Sequence, residues 1–389
     1  MKYNFDAVID RRNTNSIKWD RVDKLFESRD GLPLSVADMD FKSPPEITQS
    51  IKTRAEHGFF GYSAIPDSYY EAVMNWVSSR HNWEIQKEWI TFTPGVIPSL
   101  NIAIVAFTNP GDGILVQSPV YPPFFSIVRN NGRKLVNNQL KVREGRYVID
   151  FDILEKQLSE GVKMMLLCSP HNPVGRVWSY EELKLISDLC LKNNVLLVSD
   201  EIHSDIIYSH TKHTPLGSIS EELANNSITC IAPTKTFNIP GVGFSSVIIP
   251  NKNLYDEFNR TSANMAIGGM HGVFGPLAGE AAYRYGANWL DQLLVYLEGN
   301  ADLLHKYIKE NVSKIKFNKP EGTYLGWLDC RDLEIKYEDL RSYFITKVKI
   351  ELNDGMPFGA GGEGYLRLNF ASPRSIIMEA LERLKVGLS

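Results

Sequence analysis

The chain is poor in cysteine, with four in 389 residues, and these lie far apart in sequence. No Cys-x-x-Cys pair occurs, so the sequence predicts neither a disulfide framework nor a zinc site, and we expect no metal. Cys168 and Cys230 fall within apolar runs, which is typical of small buried core residues. The other two cysteines are Cys190 and Cys330.

Long hydrophobic runs are also missing. No stretch approaches the ~20 consecutive apolar residues that spanning a bilayer requires. Residues 1–12 carry acidic side chains and lack the apolar segment of a secretory signal peptide. We therefore expect a cytoplasmic protein that has no membrane partner.

Neither sign of charge is in large excess. The 42 Lys and Arg residues stand against 46 Asp and Glu residues, which gives a net charge of −4. Because no long basic stretch occurs, we expect no nucleic-acid partner. The hydrophobic fraction of 43% and the charged fraction of 23% are typical of a globular protein. The length exceeds that of one average domain, so we expect two.

Helical patterns and short apolar runs alternate between about residues 50 and 285. Alternation of this kind predicts an α/β fold with a mostly parallel sheet covered by helices. We expect helices over 47–58, 68–81 and 97–107. We expect strands at 113–117, 164–168, 195–198, 228–232 and 244–249.

The pattern changes beyond about residue 286. One long amphipathic helix is predicted over 289–310, and further helices near 337–347 and 373–387. This segment indicates a smaller α+β domain. We expect the first ~45 residues, whose periodicity is weak, to pack on it or on a partner subunit. The predicted division is a large domain over 47–286 and a small domain formed by 1–46 and 287–389.

Four polar or aromatic side chains follow apolar runs of the predicted sheet. They are Tyr121, Asn172, Asp200 and Lys235. Since such sheets bind ligands beyond the carboxyl ends of their strands, one crevice can hold all four. Pyridoxal phosphate (PLP) chemistry needs an amine for a Schiff base, an anion for the pyridine nitrogen and a donor for the ring oxygen. An amine, a carboxylate and an amide are present here.

Lys235 is the candidate nucleophile and base. Most lysines are exposed, but the neighbours of this one are small or apolar, which favours a buried amine. Burial lowers the pKa of an amine, and the neutral form attacks an aldehyde. Once released by the substrate, the same amine can take the Cα proton.

The other three side chains have structural alternatives that the sequence leaves open. Asp200 fits a capping or core hydrogen-bonding role as well as an ion pair with a protonated pyridine nitrogen. Asn172 fits a turn as well as a hydrogen bond to the phenolic oxygen of the cofactor. Tyr121 fits core packing as well as stacking on the pyridine ring.

Two further features suggest anion binding. Gly95 precedes a predicted helix, and free amide groups at a helix N-terminus can cradle a phosphate. Arg367 alternates with apolar residues in the run 365–370. An inward-facing arginine there needs a partner, either a structural carboxylate or the α-carboxylate of a substrate.

Two patterns resemble ligand-binding motifs, but their context argues against such sites. Gly359 to Gly364 fits G-x-G-x-x-G, but a strand-like run follows where a dinucleotide site would open a helix, so we reject NAD binding. His203, His210 and His213 are too loosely spaced for metal ligands. We expect the latter two on a hydrated loop.

Taken together, these residues resemble the fold-type I PLP-dependent enzymes of the class I/II aminotransferase superfamily. More narrowly, the chain resembles the cystathionine β-lyase, or cysteine C–S lyase, branch of the MalY/PatB type. The resemblance covers nearly the whole chain. Its specific stretches are 10–20, 36–45, 61–62, 200–205, 234–238, 320–329 and 364–374.

The resemblance implies an aspartate aminotransferase-like α/β fold, with a mostly parallel seven-stranded sheet sandwiched by helices and a smaller α+β domain. It implies PLP as cofactor and a homodimer with shared active sites. Lys235 is implied as the catalytic residue that forms the Schiff base. The implied cofactor-binding residues are Gly95, Val96, Ile97, Tyr121, Asn172, Asp200, His203, Thr234 and Lys235, with Tyr62 of the partner subunit. The implied substrate-binding residues are Ala37, Tyr121, Asn172 and Arg367.

The implied activity is α,β-elimination from L-cystathionine, L-cysteine or a related S-conjugate, which yields a thiol, pyruvate and ammonia. The alternatives are an aminotransferase on the same scaffold and a regulatory protein with secondary lyase activity. Aminotransferases commonly carry an arginine where this chain has Gly243 and a tyrosine where it has His203, and both differences favour the lyase branch. Many relatives carry tryptophan where this chain has Ser35. The N-terminal segment and the loop 264–271 are candidates for setting substrate choice.

Overall fold

The structure is a computed structural model that describes residues 2–26, 30–268 and 272–388. Part of the loop 264–271, at residues 269–271, lies outside the described residues. Among those described, no helix combines the length and apolar character that crossing a membrane requires. All four cysteines are buried and free.

The α-helices lie mainly between successive strands of the large sheet and at the two ends of the chain. The helices are α1 Val22–Phe26, α2 Pro45–His57, α3 Asp67–His81, α4 Val96–Phe107, α5 Pro123–Asn130, α6 Phe151–Ser159, α7 Tyr180–Lys192, α8 Glu221–Ala224, α9 Pro233–Thr236, α10 Lys252–Asn264, α11 Phe274–Tyr285, α12 Ala287–Asn311, α13 Tyr337–Tyr343 and α14 Arg374–Gly387.

The strands form one large sheet, one small sheet and two short pairs. The strands are β1 Leu32–Pro33, β2 Ile90–Thr93, β3 Gly113–Val116, β4 Lys134–Asn137, β5 Lys141–Arg143, β6 Arg146–Val148, β7 Val162–Cys168, β8 Leu196–Asp200, β9 Ser227–Ile231, β10 Ser245–Ile248, β11 Lys316–Phe317, β12 Leu325–Asp329, β13 Ile350–Glu351, β14 Asn353–Asp354 and β15 Tyr365–Asn369.

The large sheet has seven strands in the order β2-β10-β9-β8-β7-β3-β4. Only β10 runs against its neighbours, so the sheet is mostly parallel, as predicted. All five predicted strands are present. The two edge strands, β2 and β4, were not predicted. β4 is short and has no fully buried side chain, so it lacks the continuous apolar run that identifies an internal strand.

Helices cover both faces of this sheet because successive side chains of a strand point to opposite faces. Leu196 and Val198 of β8 pack in the cluster that contains α4, whereas Leu197 packs in the cluster that contains α7. Asp200 has the parity of Leu196 and Val198, and it ends the strand. Its carboxylate therefore points to the α4 side, at the carboxyl edge of the sheet.

The small sheet has the order β11-β12-β15-β14, and Trp327 of β12 stands opposite Arg367 of β15. The N-terminal strand β1 pairs with β13, and one hydrophobic cluster joins Phe5 to residues such as Leu290 and Leu366. The N-terminal segment thus packs against the C-terminal part of the chain. The boundaries at 46/47 and 286/287 stay a prediction.

Most helices agree with the sequence prediction within two residues at each end. The long helix α12 is present, and it is three residues longer than expected. The helix expected over 337–347 is α-helical only to Tyr343 and continues as a π-helix over Phe344–Val348. The glycine-rich segment 359–364 leads into β15 rather than a helix, in agreement with the rejection of a dinucleotide site.

Candidate active site

A pocket of about 200 Å³ lies at the carboxyl edge of the large sheet, between β7, β8 and the N-terminus of α4. It brings together most of the residues that the sequence singled out. It is lined by Ala37, Gly95, Val96, Ile97, Pro98, Tyr121, Cys168, Asn172, Asp200, Ile202, His203 and Lys235.

Lys235 enters the pocket from the short helix α9, which begins with Pro233 directly after β9. Its Nζ donates a hydrogen bond to the carbonyl oxygen of Ala37 at 2.7 Å. Burial, reinforced by the positive charge of Arg367, lowers the pKa of this amine to about 8. A substantial fraction of the amine is therefore neutral, and so nucleophilic, near neutral pH.

Asp200 occupies the last position of β8 and is buried. One of its oxygens accepts a hydrogen bond from the backbone N–H of Ile202 at 3.1 Å. Burial raises the pKa of this carboxyl to about 7, and the nearby Glu201 adds to the effect. A cation inside the pocket would favour the ionised form.

Asn172 links the pocket to Arg367. Its side-chain oxygen accepts from Arg367 at 3.0 Å, so its amide NH₂ group can donate to a ligand. Tyr121 lines the same pocket and is only half-buried, which fits a ring with one face open to a ligand better than a core aromatic.

Arg367 is a buried cation whose hydrogen-bond partners among the described residues are all neutral. Its guanidinium donates to Asn172, to the side chain of Asn353 at 2.7 Å and to the carbonyl of Ser35 at 3.2 Å. Its Nε is buried with no acceptor among the described residues. Burial lowers the pKa of Arg367 to about 10. The arrangement leaves positive charge available to an anionic ligand rather than closing a structural salt bridge.

The first turn of α4 borders the other side of the pocket. Gly95 caps this helix without a side-chain hydrogen bond, and Val96 and Ile97 follow as its first residues. Their backbone N–H groups precede the first i→i−4 acceptor, so they remain available to an anion. A polar group with negative charge, such as a phosphate, fits this end.

His203 lines the pocket in its neutral form, because burial and the charge of Lys235 lower its pKa to about 3. Its Nδ1 is buried and has no partner among the described residues. The expectation for His213 was wrong: it is buried, and its Nε2 forms a hydrogen bond at 2.9 Å with the carboxylate of Glu201, the residue that follows β8. His210 is exposed, as expected.

Three predicted site residues do not line the pocket. Arg367 reaches it through Asn172, and Thr234 is buried in α9 beside Lys235. Tyr62 is fully exposed on this chain and lies between α2 and α3 with the exposed Phe59 and Phe60. Within the described residues, no three His, Cys, Asp or Glu side chains gather as a metal site requires.

Sequence reasoning missed an ion cluster behind the pocket, called here the Asp40 cluster, which is formed by the buried Lys18 and Asp40 and the partly exposed Arg11 and Asp38. Lys18 bonds Asp40 at 2.7 Å, and Arg11 bonds Asp38 at 2.6 Å and Asp40 at 2.8 Å. All four residues fall in the stretches 10–20 and 36–45, whose likeness to the lyase branch was the available signal.

Comparison with known proteins identifies the family of the chain. The family model for aminotransferase class I and II matches residues 29–384. Cystathionine beta-lyase PatB of Bacillus subtilis is 42% identical over 387 residues, which cover 99% of this chain and 100% of that protein.

Solved structures also resemble this chain over its whole length. A PLP-bound protein from Clostridium difficile 630, provisionally named an aminotransferase, superposes with a TM-score of 0.97 at 46% identity and full coverage of both chains. Cystalysin from Treponema denticola, which contains a pyridoxal 5′-phosphate cofactor, gives a TM-score of 0.97 at 40% identity, over 100% of this chain and 99% of that one. With a family model that matches most of its length and relatives that cover all of it, this chain belongs to the aminotransferase class I and II family.

Proposed function

We propose that the chain is a PLP-dependent carbon–sulfur β-lyase. Its substrate would be L-cystathionine, L-cysteine or a related L-cysteine S-conjugate, and its products a thiol, pyruvate and ammonia. The observation that carries the proposal is that the amine of Lys235 and the carboxylate of Asp200 line one small pocket. The 42% identity to a protein named cystathionine beta-lyase supports the choice of reaction.

The residues present fit PLP. The pocket offers an amine whose pKa is about 8, a buried carboxyl, an amide NH₂ group and the open first turn of α4. The buried Nδ1 of His203 has no partner among the described residues, which is consistent with a ligand beside it. Lys235 would hold the aldehyde carbon, Asp200 the pyridine nitrogen, Asn172 the ring oxygen and Gly95 to Ile97 the phosphate.

When bound, PLP supplies an aldehyde and an electron-withdrawing ring that stabilises negative charge at the substrate Cα. Lys235, in its neutral form, would remove the Cα proton, and the protonated amine would then give a proton to the departing thiolate. Asp200, in its ionised form, would keep the pyridine nitrogen protonated. Loss of the sulfur substituent from Cβ would complete the elimination, and water would hydrolyse the released aminoacrylate to pyruvate and ammonia.

Arg367 would bind the substrate carboxylate. Its guanidinium has only neutral acceptors, so an incoming carboxylate meets a buried charge that the protein has not neutralised. A charge-assisted, bidentate contact of this kind fixes the substrate as well as attracting it. The bond from Arg367 to Asn172 would couple the carboxylate position to the cofactor position.

The functional unit would be a homodimer in which Tyr62 of the partner subunit completes each phosphate site. On this chain, Phe59, Phe60 and Tyr62 are exposed by 73%, 58% and 111%, an apolar patch that a partner would cover. A mixture of Tyr62→Ala and Lys235→Ala chains tests the idea. Mixed dimers hold one intact site, so about a quarter of wild-type activity should return on random pairing. No recovery would indicate sites built from one chain.

The direct test of the activity is pyruvate release from a panel of sulfur amino acids, with PLP added and no 2-oxo acid present. A lyase releases pyruvate and a thiol without an acceptor. An aminotransferase, the activity provisionally given to the C. difficile relative, would turn over only after a 2-oxo acid is supplied. Pyruvate production that depends on the acceptor would reject the lyase.

A further inference from the structure

The amine of Lys235 donates a hydrogen bond to a backbone oxygen in a distant part of the chain. The carbonyl of Ala37 accepts from Lys235 Nζ at 2.7 Å and from the hydroxyl of Tyr324 at 3.0 Å. Ala37 lies in the N-terminal segment, 198 residues from Lys235. The position of the amine therefore depends on how firmly the segment 36–40 is held.

Side-chain amides hold this segment from both sides. Asn369 of β15 donates to the carbonyls of Val36 and Asp38, both at 2.6 Å. Asn238, three residues beyond Lys235, accepts from Met39 N at 2.8 Å and donates to Met39 O at 2.9 Å. The segment is thus tied to the turn that follows the lysine and to the strand that carries Arg367.

The Asp40 cluster holds the segment through its charges. The Asp40 carboxylate accepts from Lys18 and Arg11, and also from Trp19 Nε1 at 2.8 Å and Ser372 Oγ at 2.6 Å. Lys18 is completely buried. Lys18 beside the carboxyl keeps the pKa of Asp40 below its usual value although burial opposes this. Arg11 bridges the carboxylates of Asp38 and Asp40. With two cations and two carboxylates, the cluster is neutral overall.

The Asp40 cluster also affects the pKa of the Lys235 amine. The Asp38 carboxylate raises the pKa of Lys235, against burial and Arg367, which lower it. Arg11 binds Asp38 at 2.6 Å, so its positive charge lies beside the carboxylate that acts on the amine. The charged or titratable groups around the amine are Asp38, Tyr121, Cys168, Asp200, His203, Tyr324 and Arg367.

We propose that the Ala37 carbonyl is the docking point of the free Lys235 amine, and that Arg11 and Asp38 are positioning residues that set its location and its readiness to lose a proton. The inference deepens the proposed function, since it concerns the group that would capture PLP and move the Cα proton. Arg11 and Asp38 should act with opposite sign, because they carry opposite charges beside one amine.

The test measures the proton affinity of Lys235 in the full-length chain without cofactor. A short pulse of acetic anhydride at each pH, followed by mass spectrometry of the Lys235 peptide, gives the pH at which half the amine reacts. Asp38→Asn should lower that pH and Arg11→Met should raise it, each by roughly half a unit, since the charges act at a distance. Exposed Lys184 serves as an internal standard.

Matched controls come from an ion pair outside the pocket. Arg80 is 26% exposed, close to the 25% of Arg11, and it bonds Asp291 at 2.7 Å. Arg80→Met and Asp291→Asn should leave the Lys235 profile unchanged. Arg11→Lys, which keeps the positive charge, should restore the wild-type profile.

Shifts of Arg11→Met and Asp38→Asn in the same direction, or shifts no larger than those of the controls, would overturn the proposal. If Arg11→Met does not fold, as circular dichroism would reveal, the decrease expected for Asp38→Asn carries the test alone. The labelling needs neither cofactor nor turnover. A chain with the expected shifts that releases no pyruvate would reject the lyase and leave this inference intact.

Discussion

The Asp40 cluster and the pocket both bury charge, but they treat it differently. In the cluster, Lys18 and Arg11 meet Asp38 and Asp40 at 2.6 to 2.8 Å, and hydrogen bonds from neutral groups complete the shell of Asp40. Beside the pocket, Arg367 meets only neutral acceptors, one of which is the pocket residue Asn172.

The difference separates a structural site from a binding site. A buried charge that is paired and hydrogen-bonded within the chain leaves nothing for a ligand. A buried charge left without a counter-ion costs folding free energy, and a ligand of opposite sign recovers that cost when it binds. Burial alone would not distinguish Lys18 from Arg367, whereas the charge of their partners does.

The largest effect is expected from the pocket lysine. Lys235→Ala removes the nucleophile and base, so pyruvate release should fall by about a thousandfold or more. The PLP-loaded chain should also lose its yellow colour. Lys184→Ala, at an exposed lysine, is the control. Turnover at the wild-type rate in Lys235→Ala would reject the assigned role.

The next effect is on stability and belongs to the Asp40 cluster. Lys18→Met leaves the buried Asp40 carboxylate short of a cation, so the free energy of unfolding should fall by about 3–5 kcal/mol. Denaturant unfolding of the PLP-free chain measures it. Lys252→Met, which breaks an exposed pair with Asp256, should cost under about 1 kcal/mol. Equal losses for both variants would show that the Asp40 cluster stabilises the fold no more than an exposed ion pair does.

The matching change beside the pocket, at Arg367, should affect substrate binding more than stability. Arg367→Met removes a charge that the chain does not neutralise, so stability should change little while KM for the amino acid rises roughly 10- to 100-fold. Initial rates over substrate concentration and a parallel melting curve check both parts. A large loss of stability with unchanged KM would indicate a structural role for Arg367.

The smallest effect concerns pH. Because burial lowers the pKa of Lys235 to about 8, the neutral amine increases by about tenfold between pH 7 and pH 9. The initial rate at which the PLP-free chain takes up PLP, followed by absorbance, should increase with it. Because only the neutral form of the Lys235 amine reacts with the aldehyde, the rate of PLP uptake rises with pH. A rate that falls across this interval would contradict a buried amine as the acceptor of the aldehyde.

Sequence patterns located the central residues of the pocket because a parallel sheet places its strand ends together. Asp200 and Lys235 each follow an apolar run, and the structure puts both beside the same pocket. The edge strands β2 and β4 and the buried His213 were not predictable in this way. Their environments depend on neighbours that are far away in sequence, and no local period records them.

The sequence by itself determined the alternation of strands and helices, the order of the chemical groups and the likeness to the lyase branch. Local periodicity and residue type carry that information. Only the tertiary structure decided which charges are neutralised. It also decided that the Ala37 carbonyl accepts a hydrogen bond from the Lys235 amine, and that Arg367 has no counter-ion among the described residues. Electrostatic pairing depends on distance and burial, which arise when remote segments pack together.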